Sequence, residues 1–334
     1  MFRNYLKTAF RSLWRNKTIS SINVVGLALG ITCSLLIMLW INDEKSVDNF
    51  HKNGTQLYSV IERQYRDGKV EAFFGGPGVM ADEMKRVLPH VQYASNFAWN
   101  ELKTFEANNK IIKESGNHAG GDFFKIFSYP LLQGNANAAL QSISDIAISK
   151  KMAEEFFGSS AAAIGKTIRY QNKKDFKITA VFDNLPENST AQFDYLLSWQ
   201  SFLQDNAWAT DWTNNGPQTY LMLRKGTDSK VFEKKINRFL DNYNKEQTAH
   251  SYSRLGMIHY SDVYLHSIFK NGELSGGRSV YVSLFSIIGI FILLIACINF
   301  MNLTTARSVK RAKEIGIRKV AGAVRFSLIQ QFIG

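Results

Sequence analysis

The stretch NVVGLALGITCSLLIMLWI (residues 23–41) sits inside 25 consecutive positions, 18–42, without a Lys, Arg, Asp or Glu; SLFSIIGIFILLIACINFMNL (283–303) sits inside 28 more, 279–306. A helix needs about 20 apolar residues to cross about 30 Å of hydrocarbon, and both runs exceed that. In water so much apolar surface would aggregate, so both read as transmembrane helices. The first is too long for the apolar core of a cleaved signal sequence and lacks an A-x-A-like exit. Cys33 follows Ile31 and Thr32, where lipidation wants small residues, and it reads as a helix-packing residue.

The net charge of +12 suggests nucleic acid until it is located along the chain. Residues 1–42 carry Arg3, Lys7, Arg11, Arg15 and Lys17 with no acid, and residues 279–334 carry Arg307, Lys310, Arg311, Lys313, Arg318, Lys319 and Arg325 against Glu314 alone. The 236 residues between them hold 28 bases and 27 acids. Short basic flanks of apolar helices stay in the cytoplasm, so the expected topology has both chain ends inside and 43–278 outside the membrane. Nucleic acid drops out as a partner. The two cysteines, Cys33 and Cys297, both fall in the spans, so the exported domain is held without disulfides, by its core alone.

Working outward, residues 1–17 place Phe2, Leu6, Phe10, Leu13 and Trp14 on one helical face and the basic residues on another, the pattern of a helix lying flat on membrane lipid. Within the first span (18–42), Gly26, Gly30 and Ser34 recur every fourth residue. That spacing suits a close helix-packing seam, although it is common in any apolar helix. The second span (279–306) is about 42 Å long as a helix, so it should tilt or project as a stalk. Asn299 and Asn302 near its inner end either bond to neighbouring helices or sit at headgroup depth.

Between the spans, short strands alternate with short helices. Strands are expected at Leu57–Tyr65, Asp145–Ser149, Thr167–Tyr170, Phe176–Phe182, Phe193–Trp199 and Gln218–Leu223, with a hairpin about Asn108 and Asn109. Helices are expected at Val79–Leu88, Lys150–Phe157 closed by Gly158, and Ser229–Tyr243. The expected fold is an α+β extracytoplasmic domain of two lobes flanked by two transmembrane α-helices.

Catalytic chemistry is hard to find. Gly165-Lys166-Thr167 ends like a phosphate loop, but Ser160 stands where the loop needs its first glycine. His51, His90, His118, His250, His259 and His266 are scattered, without HExxH or a cysteine partner, and no GxSxG elbow occurs. No catalytic residue, metal site or cofactor is expected.

From Ala296 the chain reads ACINFMNLTTARSVKRAKEIGIRKVAGA, which resembles the permeases of MacB/FtsX-type ABC transporters, the mechanotransmission class. The first span with Phe50, His51 and Asn53 looks like the family's opening. FFKIFSYPLLQGNANAAL (123–140), DIAISKKMAEEFFG (145–158) and ITAVFDNLPENSTAQFDYLLSW (178–199) look like blocks of its periplasmic core domain. The resemblance covers nearly the whole chain. It implies a bacterial inner-membrane permease whose cytoplasmic partner, a separate ABC ATPase subunit, hydrolyses ATP and drives the periplasmic domain for efflux or release of a toxic compound, peptide or lipoprotein. It implies a coupling helix in 307–334, mapped onto Lys313, Glu314, Ile315, Gly316, Ile317, Arg318, Lys319, Val320 and Gly322. It also implies a permease homodimer or pseudo-dimer, a periplasmic or outer-membrane partner, and further spans beyond Gly334.

The residues suit docking. Glu314 and Arg318 form an i,i+4 pair, Ile317, Val320 and Val324 give an apolar edge, and Gly316 permits a bend. A basic segment that merely enforces topology is the other reading. A two-span membrane sensor with an extracytoplasmic ligand-binding domain shares the topology; it usually continues into a heptad-patterned helix, which Gly316 and Gly322 interrupt. A membrane-tethered enzyme would need a convergent cluster of titratable residues.

Overall fold

The first uncharged run lies within α1 (Lys17–Ser46), which carries Ile22, Leu29, Leu36 and Leu39 on its exposed surface. The computed structural model describes residues 17–320 and Gly322. Residues 2–16, where a surface helix is expected, lie outside the described residues, as do Val324 and Arg325. Lys45–Ser279 form one compact unit, and the described residues before and after it form a second.

The globular unit is built on one twelve-stranded sheet and a separate two-stranded hairpin. Its first strand, β1 (Leu57–Arg66), turns at Asp67 and Gly68 into the short β2 (Lys69–Phe73). After α2 (Met80–Val87) come β3 (Val91–Phe97), β4 (Glu101–Ala107) and β5 (Lys110–Ala119). Asn108 and Asn109 both take positive φ, as a two-residue hairpin turn requires, and β4 and β5 pair from Glu101↔Gly116 to Ala107↔Lys110. The short α3 (Phe123–Ile126) and β6 (Leu131–Gly134) precede β7 (Asp145–Ser149). Next come α4 (Lys150–Phe157) and α5 (Ser160–Ala163), then β8 (Thr167–Tyr170) and β9 (Lys174–Phe182).

Pairing runs β7–β9–β8–β4–β5, and β10 (Tyr195–Ser198) closes the circuit by joining β7 on one side and β5 on the other. This closed ring encloses a core of Phe105, Ile146, Ile148, Phe176, Ile178, Tyr195 and Leu197, covered by Met152 and Phe156 of α4. It forms the first lobe. In the second, after α6 (Trp199–Asp205), β11 (Gln218–Leu223) pairs with β3 and β1, and β12 (Ser251–His259) completes the other side of β1. Its core unites Val60, Leu221 and Leu255 of the strands with Met80 and Met84 of α2 and Phe232 and Ile236 of α7 (Ser229–Ile236). A third, aromatic cluster draws on strands of both lobes: Phe97, Phe123, Phe127, Tyr129, Phe182, Phe193, Tyr220, and Tyr260 of α8 (Tyr260–Val263). The hairpin β13 (Ile268–Lys270) and β14 (Glu273–Gly276) leads to α9 (Arg278–Val320).

The mixed α/β domain with an apolar helix at each end matches the expected class; two details differ. The helix expected over Ser229–Tyr243 stops at Ile236, because Asn237 turns to the sheet: its carbonyl accepts from Leu255 N–H (2.9 Å) and its amide donates to the Leu255 carbonyl (3.2 Å). Gly316 does not interrupt the second long helix, which runs unbroken for 43 residues.

Candidate functional site

Two places in the chain hold the residues expected to act, and a third emerges from the structure. In the helix pair, α1 and α9 approach along their small residues. A Cβ on Gly30 would stand 2.5 Å from the Ala296 methyl, and one on Gly26 would stand 3.1 Å from the Asn299 amide. Ser34 Oγ donates to the Gly289 carbonyl at 3.2 Å. Gly289 in turn meets Ile37, and Trp40 packs edge-on against Phe285 at 5.0 Å. Asn302 is exposed. Beside the seam lies an apolar groove of about 310 Å³ lined by Leu35, Met38, Ile290 and Leu293 among others. Small residues at such a crossing let backbones approach closely, which is where helix pairs in lipid find their packing energy.

The segment mapped as the coupling helix occupies the last turns of α9. Lys313, Glu314, Ile315, Gly316, Arg318 and Lys319 are placed there by their backbone, so the expected Glu314–Arg318 pair lies outside the described side chains. Ile317 and Val320 are exposed. Gly322 has φ +91°, a left-handed conformation suited to a chain leaving a helix.

The third place was not foreseen. The Asn188 amide donates to the Ser46 carbonyl (3.1 Å), and Asp48 N–H donates to the Asn188 carbonyl (2.9 Å). The Asp48 carboxylate accepts from Thr190 N–H (3.0 Å) and from the Thr190 hydroxyl. Burial raises the Asp48 pKa, and the two Thr190 hydrogen bonds work against that rise. Next to this clamp His51 is buried among Phe50, Phe127, Tyr129 and Tyr260, and its Nδ1 accepts from Ser128 N–H (3.2 Å). Burial pushes its pKa down to about 4, so the ring stays neutral.

At the other end of the domain, Ser279 N–H donates to the Leu265 carbonyl (3.0 Å), and the Arg278 guanidinium lies over the Tyr264 ring at 4.9 Å. Gly277 is required there: its φ is +143°, and a Cβ would stand 2.6 Å from the Leu265 carbonyl oxygen. The chain leaving α1 and the chain entering α9 are thus both tied to the domain by hydrogen bonds. Asp48 and Thr190 are 142 residues apart, so no local pattern pairs them. A signal nonetheless existed, because the blocks around Phe50, 123–140 and 178–199 that carry the resemblance converge at this clamp.

The near-motif Gly165-Lys166-Thr167 leads from α5 into β8. A phosphate loop runs the opposite way, from a strand into a helix whose N–H groups hold the anion. Among the described residues no group of three or more His, Cys, Asp or Glu is placed to hold a metal ion. His118 is buried, with its pKa lowered to about 4 by burial, and His259 packs at a tilt against Tyr58. Burial pushes the Glu114 carboxyl up to about 7, even though Lys151 lies 3.0 Å away.

Residues 20–239 match the MacB-like periplasmic core domain. The macrolide export ATP-binding/permease protein MacB of Salmonella paratyphi A is 21% identical over 344 residues, covering 99% of this chain and 49% of the relative. The chain therefore spans about half the length of the curated relatives it matches. A domain named as belonging to a permease of Porphyromonas gingivalis superposes with a TM-score of 0.54 at 19% identity, over 70% of this chain and 98% of that one. The periplasmic region of MacB from Actinobacillus actinomycetemcomitans gives 0.42 at 14%, over 60% and 88%. The family match takes in most of α1, the Asp48–Thr190 clamp and most of both lobes, and on that ground the chain belongs to the family of MacB-like periplasmic core domains.

Proposed function

We propose that the chain is part of an ABC transporter permease that passes motion from a separate cytoplasmic ATPase to its periplasmic domain. Both chain ends lie in the cytoplasm and residues 43–278 in the periplasm, as the basic flanks favour. Segment 307–334 docks on the ATPase through Glu314, Ile317, Arg318, Lys319 and Val320. The observation that carries this reading is mechanical. One helix runs unbroken from Arg278 to Val320, and the domain holds the residues next to both long helices by hydrogen bonds. A displacement at Val320 then reaches Ser279 through helix backbone, with no flexible linker to absorb it.

The cargo is a toxic small molecule, a peptide or a lipoprotein; the Salmonella relative's name points to macrolides. The permease works as a homodimer or pseudo-dimer, with Gly26, Gly30, Ser34 and Asn299 setting the approach of α1 to α9, and Asn302 on the exposed side of the same helix. A periplasmic or outer-membrane partner receives the cargo.

The long unbroken α9 also suits a two-span sensor, but the family match favours the permease. Joint reversal of Arg318→Glu and Lys319→Glu should abolish capture of the partner ATPase in a pull-down from membranes. Capture that survives the reversal defeats the coupling assignment.

A further inference from the structure

Three carboxylates and one ammonium meet beneath the helix that covers the closed ring of strands. Glu114 of β5 is 3% exposed, and its Oε2 accepts from Lys151 of α4 at 3.0 Å. The same ammonium donates to Asp194 Oδ2 at 3.4 Å. Asp194, the residue before β10, also accepts from the Ser149 hydroxyl with Oδ1 at 3.1 Å. Glu155 stands one turn along α4 from Lys151, on the same helix face, and its carboxyl is in hydrogen-bond contact with that of Glu114.

Donors single out one oxygen in this group. Both Asp194 oxygens have a donor, and so does Glu114 Oε2. Glu155 Oε2 has none: it is closed off from solvent and accepts from no group among the described residues. Two further lysines of the β4–β5 hairpin are engaged elsewhere. Lys110 donates to the Glu155 backbone carbonyl, and Lys103, opposite Glu114 on β4, pairs with Glu101 at 3.1 Å. A buried carboxylate oxygen without a donor is costly, and so is a surplus of negative charge around one ammonium. A proton on Glu114 removes both defects, because its O–H becomes the missing donor for Glu155. Burial of Glu114, with the Glu155 contact adding to it, pushes the carboxyl up to about 7 against the pull of Lys151.

The position of this pair gives its proton a mechanical consequence. Neutral hydrogen bonds fix the two ends of α4: Lys151 N–H donates to Asn184 Oδ1 (3.1 Å), and the Asn108 amide donates to the Phe156 carbonyl (2.9 Å). Between them Met152 and Phe156 pack on the core of the ring. The Glu114–Glu155 contact adds a tie from helix to strand that exists only while the proton is bound. We propose that Glu114 and Glu155 share one proton, and that this proton latches α4 onto the ring so that the cover loosens when it leaves. The folded carboxyl holds its proton more tightly than the ordinary value of 4.5. The latch is therefore complete below about pH 4.5 and is lost as the pH rises through about 7. The proposal is independent of the coupling mechanism above.

The test is native-state hydrogen exchange of the full chain in detergent, with each amide rate divided by its intrinsic rate at the same pH. Protection over α4 should fall about tenfold or more between about pH 5.5 and about pH 8.5, while protection over α7 in the other lobe holds. Glu114→Gln keeps the side chain's size and always offers an N–H to Glu155, so it should keep α4 protected at both pH values. Glu155→Gln changes a half-buried residue and supplies the donor from the helix side, so it should flatten the profile as well. Lys103→Gln should leave the parent's fall in place. Protection over α4 that does not change with pH in the parent overturns the proposal, as does an equal fall over α7. A parent-like fall in Glu114→Gln also overturns it; should that variant not fold, a parent-like fall in Glu155→Gln does so alone.

Discussion

The helix pair and the globular domain use the same side chains to opposite ends. Leu36 of α1 is 61% exposed and Ile295 of α9 is 65% exposed, whereas Ile146 and Ile178 in the closed ring of strands have no exposure at all. Apolar side chains left outside by a helix, and buried completely by a sheet in the same chain, show that the two regions are built for different solvents. In the domain, burial supplies the stability. In the helix pair the apolar surface stays open, as a lipid solvent would favour, and the described protein contact includes the small-residue seam of Gly26, Gly30 and Ser34.

That contrast can be broken most forcefully in the core. Phe105→Ala, at a position with no exposure, should cost about 3–5 kcal/mol in urea unfolding of the full chain in detergent, while Leu36→Ala should stay within about 0.5 kcal/mol. Similar losses at both would remove the distinction.

Acid offers a second, somewhat smaller handle. The folded domain lowers the pKa of His51 from 6.5 to about 4, so the folded state resists a proton that the unfolded chain accepts. Above pH 6.5 this costs nothing. As the pH falls from 6.5 towards 4 the penalty grows, to on the order of 3 kcal/mol for a shift of this size. Burial raises the pKa of Asp48, Glu62 and Glu114, which acts in the opposite sense, so the clean measurement is a difference between variants. His51→Asn, whose Oδ1 can replace Nδ1 as the acceptor for Ser128 N–H, should gain stability relative to the parent between pH 7 and pH 4.5. A parallel pH profile for the two proteins would exclude His51 as the source.

The smallest effect sharpens the seam. Gly30→Val should push α1 from α9 at a cost of about 1–3 kcal/mol, while Val24→Ile on the exposed side should do nothing measurable. Energy transfer between probes on the two helices in bilayers reads the separation; equal signals for both variants would mean that the seam does not set the approach.

Much of the fold was legible where its causes are local. The strand Asp145–Ser149 and helix Lys150–Phe157 were foreseen because both helix ends are written in adjacent residues. Ser149 Oγ accepts from Met152 N–H at 3.1 Å, and Gly158 closes the helix at φ +83°. The strand Ser251–His259 was missed. It carries Gly256 in mid-strand, where a Cβ would stand 3.0 Å from Glu233 Oε1, and its burial does not alternate cleanly. Val91–Phe97 was missed because Ser95 and Asn96 are polar and yet buried, satisfied by bonds such as Asn96 Nδ2 to the Gly78 carbonyl (2.8 Å). The spacing of Gly26, Gly30 and Ser34 is visible in the sequence, but their neighbours Ala296 and Gly289 are not, since nothing in one helix specifies the register of another. The coupling role of 307–334 rests on family resemblance alone, and the Asp48–Thr190 clamp has no local pattern, only the resemblance of the blocks that converge there.

The order of strands bears on how this molecule is made. β1, the first long strand of the domain, finds its two distant neighbours in β11 and β12, the latter pairing Tyr58 with His259. Until about two hundred further residues have been made, one edge of that strand is open and the other is covered only over Glu62–Arg66, by β2, and contacts so distant along the chain form slowly. Biogenesis therefore passes through a stage with an unfinished sheet, which on the proposed topology stands outside the cytoplasmic chaperone pool. A chain stalled there would be open to aggregation or proteolysis.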